Sequence, residues 1–202
     1  LGLLSPGTVS VEGDWSNAAP WLCMGALGGT GITVTGLDQA SAQGDRAIVR
    51  ILSEMGAQVT ADGDAVTVRP GELRPIALDA DQVPDLVPVV AALAACVPGR
   101  SVVRNAGRLR LKESDRLATT AALLRALGAE AQEEGDTLTI EGRAQLSGGP
   151  VPFAGDHRLA MAAAVAARAC AAPVALIDAE AVEKSYPSFW TVLDGLTGEA
   201  SV

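Results

Sequence analysis

Aromatic side chains are scarce in this chain, at 3% of 202 residues against an apolar share of 49%. That excludes a core built on stacked rings and leaves leucine, valine and alanine to fill it. Such a composition suits closely packed, alanine-rich helices laid on strands. Cysteine is sparse too. Cys23, Cys96 and Cys170 each fall in an apolar run expected to be helical, and no metal-ligand spacing joins them. A disulfide framework or a zinc site is set aside, and free thiols of a reducing compartment are expected. The apolar stretch 86–97 is too short to span a bilayer and is punctuated by Pro88 and near its end by Pro98. With no signal peptide visible, a cytoplasmic protein without membrane association is expected. Positive charge is also in deficit, at a formal net charge of -9. A broad basic face for nucleic acid is excluded. A small anionic substrate is not, because a few local cations can define a pocket on an acidic protein.

What is there is a repeat. The first copy has an apolar helix near 16–27, a strand at 32–35 and a helix over 45–55. Two short strands follow, 56–60 and 64–68, around an Ala-Asp-Gly turn that favours a hairpin. The second copy has a helix near 85–97, a strand at 101–104, a helix over 113–127, and strands at 128–132 and 136–140. Gly56-Ala57 and Gly128-Ala129 stand 72 residues apart, as do Gly63-Asp64 and Gly135-Asp136. The third copy has a helix over 157–171, a strand at 174–177 and a helix over 187–196, and its hairpin is missing. Approximate units are 14–70, 83–142 and 155–202, with a Gly/Pro-rich loop over 142–155. The fold class is α/β (α+β): repeated units with helices packed inside a sheet shell, the third unit incomplete. Open strand edges are a liability, so the missing strands are expected from elsewhere. The chain opens on Leu1, not Met, and closes at Val202 soon after a helix. It is expected to be a piece of a longer polypeptide.

Charge is concentrated where helices begin. Arg108 to Leu117 places six ionisable side chains in ten residues and leads into a helical pattern. That pattern is carried by Leu117, Thr120, Ala121, Leu124 and Leu127, with Gly128 at its end. Gly155-Asp156-His157-Arg158 holds the only histidine and leads into a second apolar helix. Free N–H groups at a helix start favour anions, and arginine grips a carboxylate or phosphate with paired hydrogen bonds. Arg116 and Arg158 are therefore candidates to bind a small polyanion. Lys184 lies before a helix marked by Phe189, Trp190, Leu193 and Leu196. Asp85 and Glu113 are the candidate acid and base. The plainer alternative stays open: Asp115 and Asp156 cap their helices, Asp85 caps a third, and the arginines pair with nearby acids. Asp45-Arg46 occupies a first-copy place comparable to Asp115-Arg116 but lacks the Lys-Glu pair before it. Gly28-Gly29-Thr30-Gly31 has no Gly-Lys-Ser/Thr ending and is not a nucleotide loop.

These residues resemble the EPSP synthase (3-phosphoshikimate 1-carboxyvinyltransferase) family. The resemblance rests on Lys112-Glu113-Ser114-Asp115-Arg116-Leu117 and on Asp156-His157-Arg158-Leu159-Ala160-Met161. Lys184 before Tyr186-Pro187-Ser188-Phe189, the Pro84-Asp85 pair and the Glu12-Gly13-Asp14 opening add to it. It implies one domain of a two-domain enolpyruvyl transferase fold built from βαβαββ units. Residues 1–202 would be a C-terminal-type domain, and the N-terminal domain would be absent. It also implies transfer of the enolpyruvyl group of phosphoenolpyruvate to the 5-hydroxyl of shikimate 3-phosphate, with no metal or organic cofactor. By the same resemblance Arg116, Arg158 and Lys184 hold phosphoenolpyruvate, while Asp85, Arg108 and Lys112 face shikimate 3-phosphate. Asp85, Glu113 and Lys184 take part in the chemistry, supported by Asp115, Asp156 and His157. The family often has an uncharged polar residue where this chain has Arg108. Rivals are the sister transferase acting on UDP-N-acetylglucosamine, which uses a cysteine in the other half, and a domain that only binds. The isolated piece is expected to be an inactive half-site.

Overall fold

The structure is a computed structural model and describes residues 11–151 and 155–197. The expectations attached to Leu1 and Val202 lie outside the described residues, as does part of the 142–155 segment. The first unit runs α1 (Trp15–Leu27), β1 (Ile32–Val34), a 3-10 turn (Gly44–Ala47), α2 (Ile48–Glu54), β2 (Gln58–Asp62) and β3 (Ala65–Arg69). The second runs β4 (Ala77–Asp79), a 3-10 turn (Pro84–Leu86), α3 (Val87–Ala95), β5 (Gly99–Arg104), a 3-10 turn (Gly107–Leu111), α4 (Arg116–Ala126), β6 (Glu130–Glu134) and β7 (Thr137–Gly142). The third has β8 (Gly149–Val151), α5 (His157–Ala167), β9 (Val174–Leu176), a 3-10 turn (Ala179–Lys184) and α6 (Phe189–Thr197). Among the described residues, no helix is long and apolar enough to cross a membrane.

The repeat offset survives in three dimensions. β2 and β6 begin 72 residues apart, as do β3 and β7, and both pairs are antiparallel hairpins. Glycine permits both tight connections: Gly63 and Gly135 take φ of 58° and 56°, in the left-handed region. The sheets have the orders β1-β3-β2, β4-β5-β7-β6 and β8-β9. β4 pairs parallel to β5, and β8 parallel to β9. Each of these leading strands connects to its partner through a buried helix.

Those two strands correct the sequence reading. β8 lies inside the segment expected to be loop, and β4 lies before the place where the second copy was expected to start. Both are three residues long, too short to show alternation, and β8 contains Pro150. With β4 in place the second unit has the order βαβαββ.

The core is the helical layer. Every residue of α3 is buried, and α5 buries nine residues, five of them alanine. Alanine lets the helix axes approach, which is how a core poor in aromatic rings fills its space. Trp21, Tyr186, Phe189 and Trp190 form one aromatic cluster that seats α6 against α1. Other boundaries moved for local reasons. Helix α4 starts at Arg116, not 113, because Asp115 caps it by accepting from the Ala118 N–H. α5 ends at Ala167, so Cys170 lies past the helix. Pro20 sits inside α1. The face carried by α4 and its C-terminal cap behaves as its spacing predicts: Leu117, Thr120, Ala121, Leu124 and Leu127 are all buried.

Candidate active site

The starts of α4 and α5 meet the turn before α3 and the end of the 179–184 turn. There the charged residues singled out by spacing come together. Arg116 is the centre. Its side chain is 2% exposed and faces three carboxylates. Nε donates to Asp156 Oδ2 at 2.7 Å, and Nη1 to Asp85 Oδ1 at 2.8 Å. Nη2 donates to Glu113 Oε2 at 2.6 Å and to Asp156 Oδ1 at 3.2 Å. These four bonds use four of the five N–H groups of a guanidinium. A cation at the positive end of a helix is unfavourable. Here fully buried Asp156, itself the cap of α5, offsets it.

Two lysines close the ring. Lys112 Nζ lies 3.1 Å from Asp85 Oδ1, and Lys184 Nζ lies 3.2 Å from Glu113 Oε1. Ser114 Oγ donates to Asp156 Oδ2 at 2.9 Å. Asp85, Lys112, Glu113, Arg116, Asp156 and Lys184 thus form one connected network across 100 residues of sequence. Asp85 accepts from side chains and does not cap its helix. Burial pushes the Glu113 carboxyl upward, but its own backbone amide, Lys184 and Arg116 outweigh that and hold it down at about 2. Burial likewise raises Asp85, and Lys112, Arg158 and Arg116 together bring it below its ordinary value. Both groups are carboxylates at neutral pH in this state.

Arg158 is placed differently. Its guanidinium Nη2 donates to Ser16 Oγ at 2.7 Å, and Nε is buried with no hydrogen-bond partner among the described residues. Ser16 in turn donates to Asp14 Oδ1, the cap of α1. His157 is buried, and its Nδ1 takes no hydrogen bond among the described residues, lying 3.9 Å from Asp156 Oδ1. Burial, then the nearby Arg158, lowers its pKa, so the imidazole is neutral at pH 7. Asp115 turns outward to Arg110 while capping α4. Arg108 stands apart: it is exposed and donates to the Asp81 carbonyl at 3.1 Å.

Sequence reasoning gave no site role to Ser16, Ser114 or Asp14. A serine two residues past a capping aspartate signals helix entry, and nothing local says that an arginine 142 residues away will reach it. Asp45 was noted but not assigned to the site. Its carboxyl is pushed up to about 6, by burial first and then by Asp85 and Asp14, against the pull of Arg158 and Lys112.

The arrangement gathers four cations and several carboxylates on one wall, which suits a small polyanion and proton transfer. A family model described as EPSP synthase (3-phosphoshikimate 1-carboxyvinyltransferase) matches residues 3–193. The chain is similar to the 3-phosphoshikimate 1-carboxyvinyltransferase of Clostridium kluyveri, at 47% identity over 190 residues, covering 94% of this chain and 44% of that protein. It is similar to the protein of the same name from Methanocorpusculum labreanum, at 42% identity over 181 residues, 90% of this chain and 43% of the other. Among solved structures it superposes on EPSP synthase from Acinetobacter baumannii with a TM-score of 0.82 and 27% identity, over 92% of this chain and 46% of that one. The enolpyruvyl transferase NikO from Streptomyces tendae shares the fold, with a TM-score of 0.74 at 23% identity, over 94% of this chain and 44% of the other. The chain spans less than half the length of these relatives.

Proposed function

The chain belongs to the EPSP synthase family, and on that premise we propose that it forms one wall of an active site shared with a second domain of the same polypeptide. The reaction is transfer of the enolpyruvyl group of phosphoenolpyruvate to the 5-hydroxyl of shikimate 3-phosphate, with release of phosphate. Residues 1–202 act as a C-terminal-type domain, inactive alone and completed by an N-terminal domain. The free thiols Cys23, Cys96 and Cys170 suit a reducing cytoplasm.

The observation that carries this reading is the three-carboxylate ring around Arg116, tied to Lys112 and Lys184. Phosphoenolpyruvate presents a carboxylate and a phosphate to Arg116, Arg158 and Lys184. To reach Arg116 it must displace Asp85 or Glu113, since one guanidinium N–H is left over. Displacement changes the chemistry of Glu113. Lys184 and Arg116 are two of the groups that hold it ionised. Once an anion takes them, burial dominates and the carboxyl rises toward a value at which it can carry a proton.

Glu113 then delivers that proton to the methylene carbon, and C2 becomes electrophilic. The 5-hydroxyl oxygen bonds to C2 as Asp85 accepts the hydroxyl proton. In the elimination step the C2–O bond to phosphate breaks, the methyl carbon returns its proton to Glu113, and phosphate leaves. Lys112 beside Asp85 faces shikimate 3-phosphate. Cations aimed at the developing charge supply the stabilisation. Asp156 and Asp115 hold the two helix starts in place, and His157 packs beneath them.

The test is phosphate release from the two substrates by the chain joined to its partner domain. Turnover is expected, with a loss of about 100- to 10,000-fold in Glu113→Gln. No phosphate release from that pair of substrates would contradict the assignment, and turnover by residues 1–202 alone would contradict the shared site.

A further inference from the structure

Asp45 is a carboxyl that the reaction above does not use. It stands in the 3-10 turn Gly44–Ala47, which is wedged between two parts of the site. On one side Gln43 locks the turn to the start of α1, accepting from the Trp15 N–H at 3.0 Å and donating to the Gly13 carbonyl at 3.0 Å. On the other side Gly44 packs against the Gln82 carbonyl so closely that a β-carbon would lie 2.8 Å from it. Gln82 is three residues before Asp85. The charges whose fields reach Asp45 come from four other segments: Asp85, Arg158, Asp14 and Lys112. Its turn neighbour Arg46 is exposed and is held by the Gln39 carbonyl. Asp45 is half-buried, and its carboxyl takes no hydrogen bond or ion pair among the described residues. In the same cluster Arg158 keeps a buried Nε without a partner.

An unbonded carboxyl and an unsatisfied guanidinium N–H in one charge cluster are poised to respond to an arriving anion. We infer that Asp45 is the charge-setting residue of this site, taking up a proton as an anion settles on Arg158. The stronger of the two cations that favour its ionised form, Arg158, is then claimed by the ligand, whose negative charge adds to that of Asp85 and Asp14. Uptake of one proton relieves that repulsion and keeps the occupied site near electrical balance. Asp45 acts through the neighbouring charges and is a positioning residue; it does not touch the reacting atoms. This rests on the functional reading above, since the anion is phosphoenolpyruvate.

The experiment is calorimetric titration of phosphoenolpyruvate into the two-domain protein, in buffers of different ionisation enthalpy, between pH 5.5 and 8. The wild type is expected to take up about one proton per bound ligand at pH 7 through Asp45. Relative to Asp45→Asn, its affinity should fall by up to about tenfold per pH unit above pH 6. Asp45→Glu should restore the uptake, which a merely structural role would not require. Binding with the same proton uptake in wild type and Asp45→Asn overturns the role of Asp45 and leaves the functional reading standing. Absence of binding by the wild type overturns both. If Asp45→Asn fails to fold, the carboxyl signal of Asp45 followed by 13C NMR in the wild type decides. The role requires it to titrate near pH 6 without ligand and higher with it; titration near pH 4 in both states overturns it.

Discussion

Arg116 and Arg158 sit in the first turns of neighbouring helices, and the structure treats them oppositely. Arg116 opens α4, is buried, and meets three carboxylates. Arg158 is the second residue of α5, bonds one serine hydroxyl, and leaves its Nε unpaired. A buried guanidinium with matched acids is a structural clamp, because removing it strands the carboxylates in low dielectric. One with an unmatched donor is, on the proposed function, the receptor for an anion. On the proposed function both arginines meet the anion, but unequally: Arg116 also holds the helix ends together and must first be freed from a carboxylate, whereas Arg158 already has a donor to spare.

That division can be broken most directly by truncating each arginine. Arg116→Ala should destabilise the fold by about 3–5 kcal/mol in chemical denaturation, since fully buried Asp156 loses its guanidinium partner. Arg158→Ala should lower stability by only about 1 kcal/mol. It should still weaken phosphoenolpyruvate binding by about 100-fold or more in the two-domain protein. Equal stability losses would erase the distinction between clamp and receptor.

A smaller effect sharpens the electrostatic side. The Asp45 carboxyl is raised from 3.8 to about 6. The stability it contributes is present below about pH 3.8 and is lost as pH rises through about 6. Asp45→Asn should therefore raise neutral-pH stability by about 1–2 kcal/mol, after allowance for solvent screening, and change little at pH 3.5. Thermal melts at the two pH values check the sign. The smallest effect concerns Arg108, exposed and bonded only to a carbonyl. Arg108→Ala should shift stability by less than about 0.5 kcal/mol. Unchanged affinity for shikimate 3-phosphate in the same variant would remove Arg108 from the substrate wall.

Much of this was legible in the sequence because the signals were local or periodic. The α4 face from Leu117 to Leu127 has helical spacing, and the two hairpins share their turn glycines at one offset. Asp115 and Asp156 announce helix starts by type and position. The leading strands β4 and β8 were not legible: three residues cannot display a period of two, and their partners are joined through a whole helix. Within the site, charge density in an apolar, acidic chain picked out most of the network. Its internal pairing stayed hidden, since Arg116 meets Asp156 40 residues away and Asp85 31 residues away. The place of Asp45 was hidden for the same reason, as it depends on a glycine fitting against the Gln82 backbone.

The central claim is that an arriving anion takes cations away from Glu113 and so makes it an acid. The direct measurement is a 13C titration of the Glu113 side chain in the two-domain protein, with and without saturating phosphoenolpyruvate. The account predicts titration at about 2 in the free protein and a rise of several pH units when the ligand is bound. A Glu113 carboxyl that stays ionised at the same low pH in both states would contradict it.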